Sequence, residues 1–455
     1  MPPLGGDTEE NMNLTVDFTK DIGRIKSMNG VGQPPFFNMD TRYFDFLSDA
    51  NIPYSRLHDV NGLFGGYVYV DIPNIFRDFD TDVNDPASYD FAFTDVLVKG
   101  LIEHHCEPVY RLGVTIENHS RVKAYRIYPP KDFQKWAEIC EHIVRHYNEG
   151  WADGFHFDIK YWEIWNEPDN HYNVCNNNMW LGTPEEYYDL YRTTSRHLRK
   201  CFGNSIKIGG YASCGFYYIN LELPKGNEAF GTTDERGDWI KLARYFVDFF
   251  DGFIKIVSEE HLPFDFFSHH SYGSVEEDLN MQAYAEKRLE EAGLGDVEIH
   301  LNEWNTAPRS EERGTSKASA EATALMCAMQ DTKMEMMCYY DARIGVSVYG
   351  GLFNPLTFEP FCTYYSFKAF GKLLKMGRQV ECIKDSADGI YATAAANPEK
   401  SEKGVLIANI GEKQTVRTNL SGMTVYAIDE AHFFTPTELD PSELIMEKYQ
   451  TYYIG

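Results

Sequence analysis

The sequence predicts an eight-stranded parallel (β/α)8 TIM barrel with an accessory antiparallel β-sandwich, and three observations predict it. Short apolar runs alternate with amphipathic helical stretches from residue 29 to 376. Polar and charged side chains collect where those apolar runs end. After Gly377 the pattern changes to short alternating strands separated by turn signals. A chain of 455 residues exceeds one ordinary domain, and a hydrophobic content of 43% is enough for a large core.

Residues 1–28 contain "NLTVDFTKDIGRIKS" (13–27), whose alternation fits strands that join the C-terminal β-domain. Within 29–376 the strand candidates are "GVG" near Gly30, the weakest, then "YSRLHD" (54–59), "EPVYRLGV" (107–114) and "IKYWEIWNEP" (159–168). "SIKIGGYA" (205–212), "FDFFSHHSY" (264–272), "VEIHLNEWN" (297–305) and "MCYYDARIG" (337–345) complete eight. Helical patterns such as "DFQKWAEICEHIVRHY", "PEEYYDLYRTTSRHLRK" and "SAEATALMCAMQD" lie between them, and "YYSFKAFGKLLKMG" follows the last. A barrel of this kind needs about 250 residues and grows through its loops. Residues 377–455, with "ADG" and "NPEK" as turns, form the β-sandwich.

Asp and Glu total 69 against 42 Lys and Arg, a net charge of −27. Phosphate binding needs clustered cations, so nucleic acid and anionic membranes are excluded as partners. No apolar run is long enough to span a bilayer. Nine cysteines without C-x-x-C spacing do not form a disulfide framework. "MPPLGGDTEENMN" lacks the basic and apolar regions of a signal peptide, so a cytoplasmic location is expected unless a leader has been removed. Association with further copies of the chain is compatible with this composition.

The active site of a (β/α)8 barrel lies at the carboxyl ends of its strands. The second strand ends in Arg56, His58 and Asp59, the fourth in Asn166 and Glu167, and the sixth in His269, His270 and Tyr272. Asn302, Glu303 and Trp304 end the seventh; Tyr340, Asp341 and Arg343 end the eighth. Glu167 and Glu303 stand out because each follows an asparagine at the end of an apolar run. Two carboxyl groups facing one another across a sugar-binding cleft are the working parts of a glycosidase: one delivers a proton, the other attacks or activates water. The alternative is a pair of buried structural acids satisfied by arginine or backbone donors.

"YWEIWNEPDN", "LNEWNT" and "SRLHD" resemble motifs of glycoside hydrolase family 39, within the retaining glycosidases of clan A, a family of β-xylosidases and α-L-iduronidases. The resemblance implies a retaining hydrolase with Glu167 as general acid/base and Glu303 as nucleophile. It implies further that Asn166 holds the sugar 2-hydroxyl and that Tyr272 hydrogen-bonds the nucleophile. Clan members commonly end the eighth strand with tryptophan; here Tyr340 stands near that place, which leaves the sugar open. An exo-acting β-xylosidase-like activity is the leading expectation. Arabinosides, galactosides, uronides, endo action and a binding barrel without turnover are the alternatives.

His58 and His270 are candidates to donate to sugar hydroxyls, each with a structural role as the rival reading. Trp304 and Trp180 are candidate stacking platforms for a sugar ring. Glu163 shares the parity of Glu167 and is expected to pair with an interior arginine or histidine. Arg343 either pairs with Asp341 or meets a carboxylated sugar. Neighbouring residues in a strand point to opposite faces, so neither His58–Asp59 nor His269–His270 is placed to ligate one ion. No metal and no cofactor are expected, and the expected partner is a carbohydrate. Glu167 is expected to carry a raised pKa beside ionised Glu303.

Overall fold

A computed structural model describes residues 10–37, 39–58, 70–115, 127–221, 235–306, 310–347, 349–386 and 389–455. Its first strand, β1 (Glu10–Arg24), belongs to an outer sheet. The next eight close in chain order into a parallel barrel. They are β2 (Ser27–Gly32), β3 (Tyr54–Leu57), β4 (Glu107–Leu112), β5 (Tyr161–Ile164), β6 (Lys207–Ser213), β7 (Phe266–Ser271), β8 (Glu298–Trp304) and β9 (Met334–Tyr339). Around them run α1 (Asp45–Asp49), α2 (Ile72–Ile75), α3 (Ala92–Glu103), α4 (Phe133–Glu149), α5 (Pro184–Phe202), α6 (Glu235–Glu260), α7 (Val275–Glu291), α8 (Ser316–Gln330) and α9 (Cys362–Met376).

Period-two alternation divides the barrel strands. Val109, Tyr161, Phe266, Met336 and Cys338 point inward and pack together. Trp162, Ile208, Phe267 and Leu301 point outward into the layer under the helices. The first barrel strand reads weakly because it needs glycine. A Cβ at Gly30 would lie 2.5 Å from the Met337 carbonyl oxygen of neighbouring β9. The eighth barrel strand starts and ends earlier than its sequence pattern predicts, so Tyr340, Asp341 and Arg343 lie just beyond it. Helix starts follow local chemistry. Thr183 and Glu186 form a reciprocal capping box at the head of α5, with Pro184 in its first turn.

Downstream of α9 come β10 (Arg378–Lys384), β11 (Ile390–Asn397), β12 (Glu402–Asn409), β13 (Gln414–Thr418), β14 (Val425–Ala427), β15 (Thr435–Pro436), β16 (Glu443–Met446) and β17 (Gln450–Ile454). With β1 they form one nine-stranded sheet in the order β15-β14-β17-β12-β11-β10-β1-β13-β16. The expected antiparallel sandwich is thus a single curled, mixed sheet. β1 runs antiparallel to β10 but parallel to β13. Met12, Val16, Val405, Ile407, Val416, Leu444 and Tyr452, from strands across the sheet, share one core, so the sheet folds over on itself. Its barrel side rests on α8 and α9, where Thr393 Oγ1 donates to the Cys327 carbonyl at 3.3 Å. Among the described residues no helix is long and apolar enough to cross a membrane.

Candidate active site

The strand ends gather an ionised network in the mouth of the barrel. Arg56 is its hub and is 1% exposed. Its guanidinium donates to Glu163 (Nε–Oε2 2.8 Å), to the Asn166 amide oxygen (Nη2–Oδ1 2.6 Å) and to Glu303 (Nη1–Oε2 3.3 Å). Glu163, fully buried, also accepts from Ser268 Oγ at 2.6 Å and from Asn302 Nδ2 at 2.5 Å. A charge this deep costs several kcal/mol unless paired and hydrogen-bonded, and here every partner is supplied from a different strand. Arg56 thereby fixes the Asn166 amide, turning its NH2 away from the guanidinium as a donor.

Glu303 faces the cleft because β8 carries an extra residue. Leu301 pairs with Met337 and Trp304 with Tyr339, three residues against two, which is a β-bulge. The bulge lets Asn302 and Glu303 both turn inward. Tyr272 donates its phenol proton to Glu303 Oε1 at 2.5 Å. Glu167 lies just past β5, where Trp165 and Glu167 both adopt left-handed backbone angles, φ 73° and 43°. Such angles cost non-glycine residues roughly 1–2 kcal/mol each. The turn is held by the Glu167 N–H donating to the Ala212 carbonyl and by Trp165 Nε1 donating to the Met179 carbonyl, both at 3.0 Å.

His270 bridges the two glutamates. Its Nδ1 is 2.7 Å from Glu167 Oε1 and its Nε2 is 3.6 Å from Glu303 Oε2. A carboxylate oxygen of Glu167 lies within 4.8 Å of one of Glu303. That matches the short separation, roughly 5–5.5 Å, which lets one carboxyl reach the anomeric carbon directly. The Glu167 and Glu303 side chains keep 14% and 10% exposure, whereas Arg56 and Glu163 keep 1% and 0%, so a ligand meets the two glutamates and not their supports.

The protonation pattern departs from the expectation that Glu167 is raised. Burial works to lift its carboxyl, but the His270 hydrogen bond and charge, with Asn170 Nδ2 at 3.0 Å from Oε2, hold it below its ordinary value. Burial pushes Glu303 up, and the nearby Glu167 charge adds to this against the opposing pull of His270, Arg56 and Tyr272. Burial disfavours the His270 imidazolium, yet Glu303 and Glu167 outweigh it and raise its pKa. These directions favour an ionised Glu167 paired with a protonated His270. Glu167, His270 and Glu303 are close enough to share one cation. Arg56 already places a positive charge against Glu303.

His58 is buried at the end of β3, and Asp59 lies outside the described residues. His269 points outward against Phe216 and Phe267, and burial first, then His270, pulls its pKa down to about 3. Tyr340 accepts from Gln33 Nε2 at 2.7 Å and packs on Tyr349, which in turn packs on Tyr272, giving one wall of aromatic rings beside Glu303. Trp304 is not a sugar platform. It is fully buried on the helix side, stacked on Phe367 of α9, because the bulge that turns Glu303 inward turns Trp304 out. Trp180 is equally buried, edge-on to Trp165, with its indole N–H on the Thr183 carbonyl. Arg343 meets Asp341, Nη2 to Oδ2 3.5 Å.

Sequence reasoning missed three supports: the reach of Arg56, Asn170 behind Glu167, and Gln33 on Tyr340. It also missed buried Arg111, whose Nη2 donates to Asp71 Oδ1 at 2.6 Å. Only Asn170 left a legible signal, as a polar side chain three residues after the acid.

A parallel barrel that brings two glutamates together at the carboxyl ends of its strands, one backed by tyrosine and arginine, has the framework of a glycoside hydrolase. The family model for glycosyl hydrolases family 39 matches residues 64–308, more than half of the chain, and the chain belongs to that family. A β-xylosidase of Geobacillus stearothermophilus is 25% identical over 209 residues, 44% of this chain and 34% of that protein. One of Caldicellulosiruptor saccharolyticus is 24% identical over 219 residues, 44% of this chain and 40% of that protein. The matches thus span only about a third to two fifths of those relatives' length. Among solved structures, a glucosidase from Croceicoccus marinus superposes with a TM-score of 0.75 at 18% identity, covering 98% of both chains. A family 39 β-xylosidase from Caulobacter crescentus gives 0.62 at 16% identity, over 97% of this chain and 99% of that one. These superpositions show the shared fold.

Proposed function

We propose that the protein is a retaining, exo-acting glycosidase of β-xylosidase type, with Glu303 as nucleophile and Glu167 as general acid/base. The observation that carries this reading is the Glu167–His270–Glu303 array, its carboxylate oxygens within 4.8 Å, at the open end of the barrel. Glu303 attacks the anomeric carbon while Glu167 protonates the departing oxygen, and a glycosyl-enzyme ester forms. Tyr272 and Arg56 hold Glu303 in line and spread its charge. Asn166, oriented by Arg56, donates to the 2-hydroxyl as positive charge grows on the ring. Water activated by the now ionised Glu167 then cleaves the ester. The family relatives named β-xylosidases support xylose as the sugar.

The test is a panel of aryl glycosides differing in sugar and anomer, followed by a 2-fluoro glycoside of the preferred sugar. Turnover of the β-xyloside above the others, with covalent label on Glu303, is the expected result. Preference for another sugar with the same label overturns the substrate alone; no turnover and no label across the panel indicates a carbohydrate-binding barrel instead.

The proton on the His270–Glu167 pair sets the pH behaviour. Glu303, raised above the ordinary glutamate value, must be ionised to attack, so activity falls as pH drops through its pKa. The pair must hold its proton to protonate the leaving group, so activity falls again as pH rises through a value above that of ordinary histidine. In His270→Asn the proton rests on Glu167 alone, and the basic limb of kcat/KM moves to lower pH. A pH–rate profile on a poor leaving group checks this; an unmoved basic limb would refute it.

A further inference from the structure

A second cluster of ligating side chains lies outside the barrel, on helices that take no part in the cleft. Glu141 on α4 meets His197 and Cys201 on α5. Glu141 Oε2 is 2.6 Å from His197 Nε2, Cys201 Sγ is 3.7 Å from the same nitrogen, and the three ligand atoms lie within 4.8 Å of one another. We propose that Glu141, His197 and Cys201 bind a zinc-like divalent transition-metal ion that clamps α4 to α5.

Four observations support the assignment. His197 and Cys201 are four residues apart on one helix, so they project from one face. Thiolate, imidazole and carboxylate together are the donor set of zinc. The sulfur and nitrogen ligands of one tetrahedral zinc stand roughly 3.5 Å apart, close to the Sγ–Nε2 separation found here, and the Glu141–His197 contact must open to admit the ion. The outer partners are also in place. Arg145 Nε donates to Glu141 Oε1 at 2.7 Å, which leaves Oε2 as the ligand atom. The Gln134 side-chain amide lies 3.1 Å from His197 Nδ1 and donates to Glu138 Oε1 at 3.1 Å; turned to accept the Nδ1 proton that a metal on Nε2 requires, it gives up the Glu138 bond.

A groove of about 360 Å³, lined by Gln134, Arg192, Thr193, Arg196, His197 and Lys200, opens beside His197. Cys201 lies in the last turn of α5, ahead of β6, at the end of the barrel away from the cleft. Function at that end reads as stability, not catalysis.

Cobalt is the probe. The chelator-treated full chain, titrated with Co2+, is expected to develop a near-ultraviolet thiolate-to-cobalt band saturating at one equivalent and removed by Zn2+. Cys201→Ser and His197→Gln each abolish the band while aryl-glycoside turnover stays at the wild-type level. Cys214→Ser, beside the catalytic cleft, keeps it. Gln134→Ala weakens binding about 10-fold. A wild-type measurement that needs no variant is protection of Cys201 from alkylation by Zn2+. No thiolate band, a band that survives Cys201→Ser, or alkylation of Cys201 unaffected by Zn2+ overturns the proposal.

Discussion

Glu303→Ala lowers kcat for an aryl glycoside by about 10⁵-fold or more, the scale on which loss of an enzymic nucleophile is felt. The loss is chemical, because Arg56 keeps Glu163 at 2.7 Å and Asn166 at 2.6 Å and the buried charge remains paired. Unfolding should therefore stay cooperative, with little change in Tm. The substitution also opens a small pocket lined by the Tyr272 hydroxyl, Arg56 and His270, all suited to an anion. Azide admitted there attacks the same face of the sugar and leaves a glycosyl azide of inverted configuration. Product anomer by NMR is the decisive readout. A loss below about 100-fold, smaller than removal of a nucleophile allows, would move the nucleophile's role elsewhere.

Glu167→Ala gives the complementary result. General acid catalysis contributes roughly 10²–10⁴-fold, so hydrolysis of a glycoside with a poor leaving group falls by that factor. A dinitrophenyl glycoside needs no proton to depart, and its glycosylation step is nearly spared. Deglycosylation then limits the rate, since water has lost its base, and glycosyl-enzyme accumulates as a burst. Azide relieves that step and now gives a product of retained configuration, the opposite of the Glu303 variant. Equal losses for good and poor leaving groups would remove Glu167 from the acid role.

Much of this was legible in the sequence. Apolar runs and helical periods located the barrel, since a parallel sheet buried on both faces writes itself as short hydrophobic segments. Strand ends located Glu167, Glu303, His270 and Tyr272. Two things were hidden for physical reasons. The bulge in β8 reverses which side chains face inward, and alternation alone cannot show where an extra residue sits. Trp304 was misread on that account. Arg56 appeared as one polar residue among several, because its three acceptors lie on other strands and only closure of the barrel brings them within reach. The mixed character of the outer sheet was hidden too: an alternating pattern marks a strand without naming its neighbours.

The position of β1 in that sheet bears on how the protein is made. Its two neighbours, β10 and β13, leave the ribosome only after the whole barrel has been synthesised, with Leu14 pairing Lys384 and Thr418. Until then β1 is an unpaired edge strand on the nascent chain, open to association with other chains. Once inserted, it joins β10 on one side to β13 and β16 on the other, and without it the sheet falls into two pieces. Synthesis of the barrel thus precedes completion of the outer sheet, which joins segments from the two sides of the barrel sequence.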